Sequence, residues 1–420
     1  MELRAGYKQT EVGVIPEDWE VKDLGCIGTL KKGRTIARKD LSEIGFPCVL
    51  YGEIYTKYDF VASKLTSRIP QHIAETATRL EKGDILFAGS GETAEDIGKC
   101  FAYVGDEQAY AGGDLIILTP HTVNSVLLGY LLNAPIITRQ KAQLAQGSSV
   151  FHIYANSLKN IRVPLPSTEE EQRAIAAALS DVDALIASLD ALIAKKRAIK
   201  QGAMQELLTG KKRLAGFGGE WKSKTFGSLG RAYGGLSGKT RADFENGNRP
   251  YITFLNVMNN PVIDVHAFEY VNIRHGEVQN KARRGDLFFN TSSETPEEVG
   301  MCSFLSEDVG DLYLNSFCFG FRLNTDVEAD GLFLSYLLRS DVGRRLMFPL
   351  AQGATRHNLS KSAFYEIELL LPSLIEQRAI AEIVTDMDTE IAALEQKRAK
   401  YQLVKQGMMQ ELLTGKTRLI

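Results

Sequence analysis

Two stretches of the chain have residue types and spacings close to those of known chemistry. Phe87-Ala-Gly-Ser-Gly91 follows an apolar run and matches the F-x-G-x-G loop of amino-methyltransferases. Gly234-Gly-Leu-Ser-Gly-Lys-Thr240 is close to G-x-x-x-x-G-K-[ST], the loop whose backbone amides cradle nucleotide phosphates. Neither pattern closes. The cradle needs a glycine at 233, which is Tyr233. The methyltransferase also needs an Asn/Asp-Pro-Pro-aromatic motif, and Asn259-Asn-Pro-Val262 lacks the second proline and the aromatic. There is no H-E-x-x-H or G-x-S-x-G, and the six histidines show no ligand spacing. No nucleophile or metal site assembles, so the sequence reads as a binding protein.

Binding chemistry is present, and it occurs twice. Lys31, Lys32, Arg34, Arg38 and Lys39 form a basic cluster, and Lys239 and Arg241 occupy the corresponding turn later on. Lys281, Arg283 and Arg284 precede Gly285-Asp286, where the earlier copy has Arg79 and Lys82. Polar loops follow an apolar strand in both places: Ser90-Gly-Glu-Thr93 and Asn290-Thr-Ser-Ser-Glu-Thr295. On DNA, cations reach phosphates and fix position, while Asn, Glu, Ser and Arg read base edges. The candidate DNA contacts are therefore Lys31, Lys32, Arg34, Arg38, Ser90, Glu92 and Thr93 in the first set. In the second they are Lys239, Arg241, Asn290, Ser292, Ser293, Glu294 and Arg356. A solvated charged face has the same composition, so a scaffold that does not read DNA stands as the alternative.

The doubling comes from an internal repeat. Glu171-Gln-Arg-Ala-Ile-Ala176 returns as Glu376-Gln-Arg-Ala-Ile-Ala381, and Gln205-Glu-Leu-Leu-Thr-Gly-Lys211 as Gln410-Glu-Leu-Leu-Thr-Gly-Lys416, both 205 residues on. Trp19, Gly28, Gly83-Asp84 and Cys100 match Trp221, Gly230, Gly285-Asp286 and Cys302. A period this long is a duplicated domain pair, not a solenoid. Residues from about Arg34 to Leu80 and from about Arg241 to Ala282 share no alignment. Equal scaffolds with unequal surfaces suggest one job performed on two targets.

The elements that position these residues follow from periodicity. Ser167-Thr-Glu-Glu-Glu171 opens a long helix, with a hydroxyl cap and glutamates at the positive end of the dipole. Ile175, Leu179, Val182, Ile186, Leu189 and Ile193 form a heptad seam. Lys196 interrupts it, Ile199, Ala203 and Leu207 resume it, and Thr209-Gly210 ends it. The second helix has Ile380, Val384, Met387, Ile391 and Leu394, continued by Tyr401, Val404, Met408 and Leu412. About 40 residues give a rod of roughly 60 Å. Neither rod is apolar all round, so each packs either on its own domain or on the other rod; equal length and a repeat without insertion favour the second. The remaining regions are α+β, with strands at Ile85–Phe87, Leu115–Leu118, Tyr251–Phe254, Leu287–Phe289 and Phe317–Phe321. One helix is expected before each Gln-Gly, at about Val123–Leu132 and about Gly331–Leu346.

Composition bounds the rest. The chain has 420 residues, enough for two or three domains, and at 44% hydrophobic it can bury a core. A net charge of −3 excludes a uniformly basic coat but not local patches. No run of 18 apolar residues exists, so no membrane span is expected, and without a signal-like start a cytoplasmic location is expected. The five cysteines, Cys26, Cys48, Cys100, Cys302 and Cys318, include no C-x-x-C and read as reduced thiols.

The order of these parts resembles the DNA-specificity subunit of type I restriction–modification systems. The resemblance covers essentially the whole chain. It rests on the two helices running from Glu-Gln-Arg-Ala-Ile-Ala to Gln-Glu-Leu-Leu-Thr-Gly-Lys, on Gly6-Tyr-Lys-Gln-Thr-Glu-Val-Gly-Val-Ile-Pro-Glu-Asp-Trp19, and on Lys82-Gly-Asp-Ile-Leu-Phe87. It implies two α+β target-recognition domains, 1–166 and 211–371, separated by two long helices, 167–210 and 372–420. The helices would pack as an antiparallel intramolecular coiled coil with an internal pseudo-twofold repeat. It also implies a non-catalytic subunit without cofactor or metal, each domain reading one half of a bipartite double-stranded DNA site. Two modification subunits would bind S-adenosylmethionine and methylate adenine, and restriction motor–nuclease subunits would use ATP and Mg2+. One loop departs from the family form: Gly353-Ala-Thr-Arg-His-Asn-Leu-Ser360 is close to it, whereas Gly147-Ser-Ser-Val-Phe-His-Ile153 is not.

Overall fold

Ile85-Leu-Phe-Ala88 has no polar position, so as a strand it needs cover on both faces. The computed structural model describes residues 5–34 and 36–419 and supplies that cover. It divides into two compact units: unit 1 runs to Asp190 and resumes at Lys397, and unit 2 is Ala191–Gln396.

In unit 1, β1 (Gly28–Lys32), β2 (Val61–Ala62), β3 (Ile85–Ala88), β4 (Cys100–Tyr103) and β5 (Leu115–Pro120) form a sheet in the order β1-β5-β3-β4-β2. Ile85 and Phe87, with Ile116 and Leu118, face one core. That core includes helices α1 (Ser125–Leu131) and α2 (Pro135–Gln143), Ile175 and Leu179 of the long helix α3 (Glu169–Leu207), and Leu412-Leu413. Leu86, Ala88, Leu115 and Ile117 face a second core containing Val49, Ile54 and Phe101.

Unit 2 repeats the plan. Its strands β6 (Gly230–Gly234), β7 (Leu287–Asn290), β8 (Cys302–Phe304) and β9 (Cys318–Leu323) lie in the order β6-β9-β7-β8. Leu287 and Phe289 pack on α4 (Gly331–Arg339), α5 (Asp341–Met347) and Ile380 and Val384 of the long helix α6 (Leu374–Leu412), while Phe288 packs the other way with Val257 and Leu314. Side chains alternate along a strand, so one face of each sheet carries the repeated scaffold. The other carries the divergent stretch. Residues 34–80 supply strands Phe46–Val49, Ser67–Ile69 and Thr78–Leu80 of a separate four-stranded sheet, and unit 2 builds a three-stranded sheet around Arg249–Ile252 instead.

Each expected single helix before Gln-Gly is two helices. Pro135 stands in the first turn of α2, and the Ser340 hydroxyl accepts from Gly343 N–H to start α5.

The two long helices pair antiparallel within each unit. In unit 1, Asp183 meets Lys405 and Asp190 meets Arg398 at 2.9 Å. In unit 2, Lys196 meets Glu390 at 2.6 Å, Arg197 meets Glu395 at 2.5 Å, and Lys200 meets Asp388. Leu189, Ile193 and Ile391 are buried, and Val182, Ile186, Met387 and Leu394 are half-buried. Both expected packings therefore hold in part, because Ile175, Leu179, Ile380 and Val384 belong to the domain cores rather than to a free seam. The seam does not resume at Ile199 or Val404, which are 47% and 40% exposed. The adjacent Lys200 and Lys405 turn to the partner helix and bond aspartates, so the flanking aliphatic residues face outward.

The repeated Glu-Gln at each helix start is a buttress. In unit 1 the buried Glu171 accepts from Arg418, at 2.8 Å for Nη2, and from Trp19 Nε1 at 3.2 Å, while Arg418 also donates to Asp18 at 2.8 and 2.9 Å. In unit 2 Arg213 donates to both Glu376 oxygens at 2.6 Å. Gln172 bonds Pro166 O and Asn124 N–H, and Gln377 bonds Pro372 O and Asp330 N–H. The end of one long helix is thereby locked to the start of the other.

Candidate nucleic-acid interface

Three segments meet at one edge of each central sheet. In unit 1 the turn after β1 is tied to β5 by Gly33 N–H to Leu115 O at 2.9 Å. The loop after β3 begins with Gly89 N–H to Asp114 O at 2.7 Å. A hairpin over 146–153 then pairs Ser90 with His152, and Ile153 N–H reaches Gly89 O at 2.9 Å. In unit 2 the same edge holds Leu236 N–H to Leu314 O (2.7 Å), Thr291 N–H to Phe317 O (2.9 Å) and Leu359 N–H to Thr291 O (2.8 Å), with Ser292 paired to Asn358.

The two hairpins have one geometry despite their different sequences. Gly147 and Gly353 have φ of 130° and 129°, and a Cβ on either would collide with the carbonyl oxygen three residues on, of Val150 or Arg356. Only glycine accepts both conditions. The departure in the first copy is thus one of side chains and not of backbone: after the glycine, Ser148–Ile153 and Ala354–Leu359 differ at every position.

Among the expected contact residues, Lys32, Arg34, Arg38, Glu92, Thr93, Arg241, Glu294 and Arg356 are exposed at or beside these segments. Thr93 is partly spent on Asp96, at 2.9 Å. Arg356 donates to Ser292 Oγ at 3.2 Å and lies over the Phe317 ring.

Others are inward. Asn290 is fully buried; its amide donates to Ser292 O and Glu298 O and accepts from Met301 N–H, leaving no polar atom for a base. It ends β7, a strand covered on both faces, so either direction would have buried it. Lys239 is 6% exposed and pairs with Glu277, whose carboxyl is held down at about 2 chiefly by that lysine. The P-loop-like turn is therefore a staple across the divergent region. Ser90, Ser292 and Ser293 are buried, bonded to His152, Arg356 and Glu298 respectively. Lys31 turns toward Asp84, 3.6 Å away.

Sequence reasoning missed Tyr154 and Phe317, both 52% exposed at this edge. It also missed Tyr55, whose hydroxyl donates to Ser90 O at 3.0 Å from the divergent stretch. Among the described residues no cluster of three His, Cys, Asp or Glu could hold a metal ion, and no helix is long and apolar enough to cross a membrane.

The model of the type I restriction modification DNA specificity domain matches residues 16–196 and again 218–403. The chain belongs to this family. A Methanocaldococcus jannaschii protein assigned as the MjaX type I restriction enzyme specificity subunit is 29% identical over 98% of this chain and 97% of its own length. The MjaVIII specificity subunit of the same organism is 24% identical over 96% and 94%. The crystal structure of the type I system S subunit from M. genitalium superposes with a TM-score of 0.59, at 16% identity over 98% of both chains. This specificity subunit thus confers DNA sequence specificity on a type I restriction–modification system, and it is a non-catalytic component whose family leaves catalysis to partner subunits.

Proposed function

We propose that each unit reads one half of a bipartite duplex target with the three-segment edge of its central sheet. One observation carries this reading: the loop and the hairpin are held by equivalent backbone bonds in both units, Gly89 to Asp114 and Ile153 to Gly89 in one, Thr291 to Phe317 and Leu359 to Thr291 in the other, while the side chains of the turn and of the hairpin tip differ. A rigid frame with exchangeable tips suits two readers with different sequences to find. Lys32, Arg34, Arg38 and Arg241 then serve phosphates, and Glu92, Thr93, Glu294 and Arg356 serve base edges. Lys31, Ser90, Lys239, Asn290, Ser292 and Ser293 hold the loops in place. The paired long helices serve as the platform for two modification subunits, which carry S-adenosylmethionine, and motor–nuclease subunits bring ATP and Mg2+. The site of action is the cytoplasm.

The test exchanges a domain. Replacing residues 6–165 by the matching segment of a relative should change one half of the methylated motif in the host genome and leave the other intact. A graft that alters both halves, or a wild-type complex that methylates without sequence preference, would refute the reading. Replacing Lys32 and Arg34 by alanine should flatten the salt dependence of binding by roughly one unit per lost phosphate contact, for all sequences alike.

A further inference from the structure

Gly98 in unit 1 and Gly300 in unit 2 occupy equivalent places, each closing the loop that follows β3 or β7, at φ of 67° and 70°. The carbonyl oxygen of each accepts a hydrogen bond from a cation on the helix pair behind it. Lys141 of α2 is 1% exposed and donates to Gly98 O at 2.6 Å. Arg344 of α5 donates to Gly300 O at 3.2 Å, to Glu297 O at 2.8 Å and to Val299 O.

Burying a cation against carbonyls alone is costly. Desolvation lowers the pKa of both groups, and no carboxylate offsets it among the described residues. The scaffold does not require this arrangement. The position in unit 2 equivalent to Lys141 is Met347, fully buried in the core, and the position in unit 1 equivalent to Arg344 is Thr138. The two cations are therefore not a shared inheritance of the repeat. Each unit reaches the same carbonyl from a different turn of the helix.

What lies above them is alike as well. Glu92, Glu95 and Asp96 stand on the first loop and Glu294, Glu297 and Glu298 at the equivalent places on the second. Three carboxylates on one short loop repel one another, and a DNA phosphate brought near adds to the strain. The hydrogen bond from each cation sets the direction of a carbonyl whose glycine would otherwise turn freely, and so braces the loop against both. We propose that Lys141 and Arg344 are positioning residues for base recognition, one buried and one half-buried cation that hold the loops 89–98 and 291–300 in their reading geometry against the field of DNA. This rests on the assignment of those loops as readers.

The test uses the full chain co-expressed with its modification subunit. Binding is compared between target DNA and DNA randomised in one half-site, and the urea midpoint is followed in parallel. Lys141→Met, which installs the residue unit 2 already has, should keep the midpoint and the salt slope. It should lower discrimination at unit 1's half-site about tenfold or more and leave the other half-site untouched. Lys141→Arg should restore part of the loss. Arg344→Met should do the same for unit 2's half-site, with Arg344→Lys as its partial rescue. Unchanged discrimination in both methionine variants, equal weakening on all sequences, or a Lys141→Met chain that no longer folds would each overturn the proposal. If Glu92→Gln and Glu294→Gln shift preference while the methionine variants do not, the loops read and only the positioning role falls. If wild type shows no preference, both fall.

Discussion

Replacing Arg213 by alanine should destabilise unit 2, and by more than Arg418→Ala destabilises unit 1. Glu376 is 1% exposed in its side chain and Arg213 is 26% exposed. Removing one partner of a buried pair costs roughly 3–5 kcal/mol, and the partial exposure of Arg213 puts the loss near the lower end, at about 3 kcal/mol. Glu171 is as deeply buried, but when Arg418 is gone it keeps the Trp19 indole N–H, and the second carboxylate that Arg418 leaves, Asp18, is 53% exposed and stays solvated. A hydrogen bond to a charged group is worth roughly 1.5–3 kcal/mol, so the loss in unit 1 should be smaller by about 1–2 kcal/mol. In unit 2 the Trp221 indole N–H has no acceptor among the described residues and offers no such reserve. The chain has two tryptophans, one in each unit. Urea unfolding followed by fluorescence therefore reports unit 2 in a Trp19→Phe background and unit 1 in a Trp221→Phe background. A loss below about 1 kcal/mol for Arg213→Ala, or an equal or larger loss for Arg418→Ala, would refute the reasoning. The double variant Arg213→Met/Glu376→Leu should recover most of the stability, because no charge is then buried alone.

Three further outcomes are expected. Iodoacetamide at pH 8 should label Cys26 in the folded chain and spare Cys100 and Cys302, whose thiols burial pushes up to about 11 and about 12; peptide mass spectrometry showing either labelled before unfolding would contradict this packing. Glu277 has a depressed carboxyl in the folded state, so its contribution is present above its ordinary value of 4.5 and is lost as pH falls toward about 2; Trp221 unfolding curves at pH 5 and pH 3 should converge for Lys239→Met relative to wild type. Gly147→Ala and Gly353→Ala should each strain one hairpin by at least about 1 kcal/mol and weaken binding at one half-site only, which a half-site-randomised binding assay measures.

The long helices were legible because their signal is local and repeated: a capped start, a seam of apolar residues and a Thr-Gly end. The repeat itself exposed the two-part plan. What the sequence hid depends on contacts between distant residues. Glu171 reads as a first-turn glutamate, yet its main partner, Arg418, is 247 residues away. Ile199 and Val404 fit a heptad, yet face water because the neighbouring lysines take the helix partner. Asn290 looked like a reader because asparagine suits adenine, although it ends an apolar strand whose two faces are both covered. Lys141 stood on an otherwise apolar helix face, a signal that was present and went unused.

The buttress at Glu171 also sets an order of events during synthesis. Unit 2 is a continuous stretch, Ala191–Gln396, whereas unit 1 waits for residues from Lys397 onward. Leu412 and Leu413 complete the first core, and Arg418 is made after them. At roughly 5–20 residues per second, the ribosome needs roughly 10–50 s to go from Asp190 to Arg418. During that interval the earliest-made domain has an open core and a carboxylate with only the Trp19 indole to bond, while the later-made domain can already close. A nascent chain stalled in this window would offer proteases its oldest half first.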